Sequence, residues 1–171
     1  IPASGTITSG IFVPDIRTIA DLNVRINITH TFVGDLRITL TSPTGVVIPL
    51  VLNRGGSGDD FTDTLFDDSA AISIAAATAP FTGSFRPESP LEAVNRDSAS
   101  GLWVLTITDT APRNSGMLIS WALEFTLEAA PNGLHEFNDT IFNATDSTIS
   151  GTGTAQFGAV IGDGAFGLRD V

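Results

Sequence analysis

The sequence predicts an all-β chain folded as an antiparallel β-sandwich or jelly roll, and three observations predict it. Apolar and polar residues alternate with period two along most of the chain, which gives each strand one face to bury. Clusters of Gly, Pro, Asn and Asp interrupt that alternation at short intervals, as turns do. No apolar pattern supports a helix longer than a turn or two. With 171 residues, 42% of them hydrophobic, the chain has the length of one domain with some remainder and can bury a core.

The pattern starts near Thr6. In LNVRINITH (22–30), Leu22, Val24, Ile26 and Ile28 alternate with Asn23, Arg25, Asn27 and Thr29. DLRITLT repeats this with Leu36, Ile38 and Leu40, and the following Ser-Pro-Thr-Gly is a turn because Pro43 presets φ and Gly45 tolerates positive φ. VVIPLVL is the next strand, and Pro49 inside it points to an edge or a bulge. SAAISIAAATA (69–79) is ambiguous, with Ile72 and Ile74 alternating ahead of Pro80. LWVLTITD and MLISWALEFTLE are two further strands joined by a turn at APRNSG, and Ile119, Trp121, Leu123, Phe125 and Leu127 share one face of the second. The expected core contains Ile26, Ile28, Leu36, Ile38, Trp103, Leu105, Ile107, Trp121, Leu123 and Phe125. At Ala130-Pro131-Asn132-Gly133 the composition shifts. The chain therefore divides into a sandwich over 1–129 and a Gly/Thr-rich extended tail over 130–171, too poor in apolar residues to build its own core. That tail reads as a donor strand or as the start of a truncated second β domain.

Charge excludes several partners. The formal net charge is −11, and all eight basic residues are Arg. This works against nucleic acid and anionic membrane surfaces, which demand clustered Lys or Arg. There is no Cys and no Lys, hence no disulfide, thiolate nucleophile, zinc–cysteine site or Schiff base. No apolar run reaches the ~18 residues of a membrane helix. The chain opens at Ile1 without a basic and apolar leader, so it reads as a processed piece, and its acidic, Thr-rich, Cys-free make-up suits a secreted, extracellular or cell-surface setting.

Four blocks carry a family resemblance: HTFVGDLRITLTSPTG, RGGSGDDFTDTLFDDSA, APFTGSFRPESPL and GLWVLTITDTAPRNSGMLISWALEF. In this order and spacing, over residues 5–128, they resemble the P domain (Homo B domain) of proprotein convertases and secreted bacterial proteins. The resemblance implies a jelly-roll β-sandwich beside a subtilisin-like protease domain, needed for that domain's folding or stability. The tail is similar to the opening of a bacterial prepeptidase-C-terminal-like domain, on the strength of IGDG and the closing Asp170-Val171.

The densest candidate chemistry is DDFTDTLFDD, where Asp59, Asp60, Asp63, Asp67 and Asp68 crowd an expected loop. Such carboxylates either spread into water or gather a cation, and Ca²⁺ takes six to eight oxygens from loops of this kind. Asp35 and Asp109, at strand ends, are candidate additional ligands, and the P-domain resemblance associates the acidic loop with calcium. The spacing is not that of an EF-hand. His30 and Asp35 in HTFVGD lack any G-x-S-x-G nucleophile elbow, so His30 reads as a strand-end imidazole hydrogen-bonded at a turn. His135 stands alone. Gly162-Asp163-Gly164-Ala165-Phe166-Gly167 matches G-x-G-x-x-G, but too few residues follow for a dinucleotide site. Trp103 and Trp121 lie in alternating strands and read as core rather than sugar platforms. The expected function is thus a non-catalytic, calcium-stabilised module contacting a neighbouring domain of its parent protein. The alternative is a subunit of an extracellular filament or surface assembly, joined to copies of itself by strand addition of residues 131–171. No catalytic residue, nucleic-acid partner or membrane insertion is expected.

Overall fold

The computed structural model describes residues 1–129. The readings made for residues 130–171, including the donor-strand tail, His135 and the glycine motif, lie outside the described residues.

Eight strands form two four-stranded sheets. They are β1 (Thr6–Val13), β2 (Ile19–His30), β3 (Leu36–Thr41), β4 (Val47–Leu52), β5 (Phe61–Phe66), β6 (Phe81–Phe85), β7 (Gly101–Asp109) and β8 (Gly116–Leu127). One sheet has the order β1-β7-β3-β4 and the other β6-β5-β2-β8. All pairs are antiparallel except β5 and β6, which run parallel. The only helical segments among the described residues are three 3₁₀ turns of three or four residues. The all-β sandwich predicted from the alternation is the observed fold.

The inward faces meet in one core. Ile26, Ile28, Leu36, Ile38, Trp103, Leu105 and Ile107 are essentially inaccessible to water, as the alternation requires. Trp103 on β7 packs edge-on against Phe125 on β8, with ring centroids 5.5 Å apart, and its indole N–H donates to the Ala99 carbonyl at 2.9 Å. Trp121 on β8 reaches across to β1, donating to Ser9 Oγ at 2.9 Å. Trp121, Leu123 and Phe125 are only partly buried, because β8 is the outer strand of its sheet.

Local backbone irregularities account for the departures from the expected pattern. Asn27 pairs with Ser120 but Ile28 pairs with Leu118, so Ile119 is the extra residue of a β-bulge. The bulge inverts the phase of the alternation. Leu118 therefore packs against the core, whereas Ile119, expected on the buried face with Trp121, is exposed. Pro49 sits on an edge strand next to a register shift, satisfying both options its missing N–H allowed. The ambiguous 69–79 stretch becomes a turn and the 3₁₀ segment Ile74–Ala76, with Ile74 buried and Ile72 exposed. The expected acidic loop is interrupted by β5, which pairs with β2 at the centre of its sheet. Positive φ at Asp63 and Gly83 accompanies the register shift that breaks period two in β5 and β6.

Candidate functional site

The polar side chains converge where β2 and β7 end, at one end of the sandwich. His30, the last residue of β2, and Asp109, the last of β7, belong to different sheets, and both side chains are wholly buried. Nε2 of His30 lies 3.1 Å from Asp109 Oδ2; a carboxylate oxygen accepts, so the ring N–H donates. Nδ1 is 3.2 Å from the Phe32 nitrogen, which donates to it, and 3.1 Å from the Phe32 carbonyl. Accepting the Phe32 N–H leaves the ring proton on Nε2, facing Asp109. Asp109 Oδ1 accepts the Ala111 N–H at 2.9 Å. The backbone of His30 is held as well: its N–H donates to Asp60 Oδ1 at 2.8 Å, and its carbonyl accepts the Asp60 N–H at 3.0 Å.

Close backbone approach completes this end. Gly34 N–H donates to the Gly56 carbonyl at 2.9 Å, and a Cβ on Gly34 would stand 2.7 Å from that same oxygen. A Cβ on Gly116 would stand 2.1 Å from the Thr29 carbonyl and 2.6 Å from His30 Cδ2. Only glycine fits at either position. Asn53 Nδ2 donates to the Gly34 carbonyl and to Thr110 Oγ1, and Arg37 Nε donates to Asn53 Oδ1. Segments 30–35, 53–60 and 109–116, far apart in sequence, thus close on one another through hydrogen bonds.

The expected calcium ligands are distributed differently from one loop. Asp60 supports His30, as above. Asp63, on β5, accepts from Arg25 Nη1 at 2.8 Å, and Arg25 also pairs with Glu124 at 2.9 Å; Glu124 and then Asp63 hold the Arg25 guanidinium above its ordinary pKa. Asp67 accepts from the Ser69 N–H and hydroxyl, each at 2.7 Å. Asp68 accepts the Leu91 and Glu92 N–H groups at 3.0 and 2.8 Å, tying the end of β5 to the 3₁₀ segment Leu91–Val94. Asp59 is exposed. Asp35 contributes its backbone carbonyl, which accepts the N–H and hydroxyl of Thr110. Most of these groups are turned to separate protein donors, and among the described residues no three His, Asp or Glu side chains are grouped about one point.

The sequence reading of His30 as a hydrogen-bonded strand-end imidazole matches the structure, but its carboxylate partner is Asp109 rather than the neighbouring Asp35. The available signal was that His30 and Asp109 each close an alternating strand; the pairing of those strands' ends was not encoded locally. Chemically, both ring nitrogens are engaged, the ring is sealed from water, and none of its partners is a serine, threonine or cysteine hydroxyl or thiol. A general base needs an open nitrogen within reach of the proton it takes. This dyad fastens two sheets.

The sequence pattern of the proprotein convertase P-domain matches residues 19–125. The chain belongs to the proprotein convertase P-domain family. Among curated proteins, this P domain is 28% identical over 106 residues to leupeptin-inactivating enzyme 1 of Streptomyces exfoliatus, covering 62% of the chain and 18% of that protein. It is 30% identical over 104 residues to the transglutaminase-activating metalloprotease of Streptomyces mobaraensis, covering 61% of the chain and 10% of that protein. The chain therefore spans under a fifth of the length of the curated relatives it matches. In fold it is similar to a chain of the crystal structure of Aeromonas sobria serine protease in complex with a chaperone, with a TM-score of 0.51, 22% identity, and coverage of 76% of this chain and 24% of that one. The blocks 30–45, 54–70, 79–91 and 101–125, which carried the resemblance in sequence, supply β3, β5, β6, β7 and most of β8, together with His30 and Asp109 of the polar end. No helix among the described residues is long and apolar enough to cross a membrane.

Proposed function

We propose that this P domain is a non-catalytic accessory module of a secreted protease, stabilising a neighbouring catalytic domain. The observation that carries the reading is the sealed His30–Asp109 pair: the one buried histidine–carboxylate arrangement among the described residues is fully occupied by structural hydrogen bonds. Family membership and the protease names of its relatives supply the partner, and the short stretch of each relative that it matches fits a module within a larger chain. The test has two arms. The isolated chain should hydrolyse no peptide substrate, and deleting residues 1–129 from the parental polypeptide should lower the yield of active protease. Peptide hydrolysis by the isolated chain, lost in His30→Ala, overturns the reading; so does an undiminished yield after deletion.

Calcium stabilisation is a separate arm of the proposal, supported by five carboxylates in the ten residues 59–68 and by the net charge of −11. A cation held only by the native state raises stability by mass action. The melting temperature should accordingly be higher in millimolar Ca²⁺ than in chelator. Superimposed melting curves remove calcium from the account and leave these aspartates as turn and strand caps.

A further inference from the structure

Each arginine is a potential cleavage point for a trypsin-like protease, whose acidic specificity pocket takes a free guanidinium. Cleavage also needs the flanking backbone, because a bound substrate lies extended and pairs through its main chain. Seven of the eight arginines lie among the described residues, and the fold withholds six of them. Arg25 and Arg37 sit in strands paired on both sides. Arg17 is clamped by Asp15, and its carbonyl accepts the Ala99 N–H at 3.0 Å. Arg54 is paired with Glu88. Arg86 donates to the Ala70 and Ala71 carbonyls and precedes Pro87. Arg96 is exposed, but its N–H donates to the Ile19 carbonyl and the Asp97 carbonyl accepts the Ile19 N–H, each at 2.9 Å.

Arg113 differs. It lies in the loop joining β7 to β8, is exposed, and makes no hydrogen bond or ion pair among the described residues. From Pro112 to Ser115 no backbone N–H or carbonyl is hydrogen-bonded among the described residues. The backbone anchors stand on either side of that segment: the Ala111 carbonyl accepts the Ser4 N–H at 2.8 Å, and the Gly116 N–H donates to the Ile1 carbonyl at 3.0 Å. Within it, one side-chain bond, from Asn114 Nδ2 to Thr31 Oγ1 at 3.0 Å, has to open. Exposed loop tips with so little tying them down are the preferred sites of proteolytic nicking.

We propose that the Arg113–Asn114 bond is a limited-proteolysis site for a trypsin-like protease, and that the cut domain stays assembled as two chains. One water crosses the bond: its hydroxyl goes to the Arg113 carbonyl carbon and its proton to the Asn114 nitrogen. The new acid and amine then ionise as a carboxylate and an ammonium. The cut severs the link from β7 to β8, which belong to different sheets, without breaking either ladder. β8 remains paired with β2 from Gly116 opposite His30 to Leu127 opposite Ile19. Trp121 still donates to Ser9, and Phe125 still packs on Trp103. Residues 1–113 therefore keep hold of the chain that begins at Asn114.

Digestion of the full chain with a trace of trypsin, followed by mass spectrometry, tests this. The first cut within residues 1–129 should fall after Arg113. The two fragments should co-elute in native gel filtration and separate in denaturant. Arg113→Gln, which disturbs no contact among the described residues, should lengthen the half-life of uncut 1–129 by about tenfold or more. Arg96→Gln should leave it unchanged. A first cut after another of these arginines, no cut at all, an unchanged rate in Arg113→Gln, or fragments that part without denaturant overturns the proposal. So does a rate of cutting at Arg113 that rises with urea in step with global unfolding, since the cut would then belong to the unfolded chain. None of these outcomes bears on the accessory role.

Discussion

Asp109→Ala is expected to destabilise the domain by about 2–6 kcal/mol, because it leaves two buried donors unsatisfied at about 1–3 kcal/mol each. The carboxylate is inaccessible to water and accepts from the His30 ring and from the Ala111 N–H. Alanine leaves both donors buried without an acceptor. The consequence spreads beyond one bond, because His30 and Asp109 belong to different sheets and His30 also anchors Asp60. Chemical denaturation followed by intrinsic fluorescence measures the loss. Asp109→Asn should recover part of it, since an amide oxygen can still accept one hydrogen bond.

Trp103→Ala should cost a similar amount, about 3–5 kcal/mol. Trp103 is the largest fully buried side chain. Its removal opens a void between the sheets, strips Phe125 of its edge-on partner, and leaves the Ala99 carbonyl without its indole donor. Trp103→Phe restores most of the apolar volume but not that donor, so it should fall between wild type and alanine. The midpoint of denaturant unfolding ranks the three. Equal stability of all three would mean that Trp103 contributes nothing to the packing of the core.

The inward faces of β2, β3 and β7 were legible because strictly alternating side chains can bury only one face, and Ile26, Ile38 and Ile107 do so. Three features were not. Ile119 was misplaced because a one-residue bulge inverts every later position, and a bulge is a property of the strand pair rather than of either strand. β5 and β6 escaped notice because positive φ at Asp63 and Gly83 breaks the period, and a run of aspartates reads as loop when its donors are unseen. Arg25, Ser69 and the Leu91 and Glu92 amides are those donors. The partner of His30 was missed for a related reason: Asp109 is 79 positions away, whereas local pattern offered Asp35 five residues on. Gly116 was visible within the APRNSG turn, but the carbonyls that exclude any side chain at Gly34 and Gly116 come from other segments.

A double-mutant cycle on His30 and Asp109, read by equilibrium denaturation of wild type, His30→Ala, Asp109→Ala and the double variant, tests most directly that this pair is a structural fastener. Both single variants should be strongly destabilised, and the double variant should be little worse than either, giving a coupling energy of about 2 kcal/mol or more. Losses that add to within about 0.5 kcal/mol, or single variants at least as stable as the parent, would contradict the account, because a pair held for chemistry rather than for the fold is the kind whose removal relieves strain.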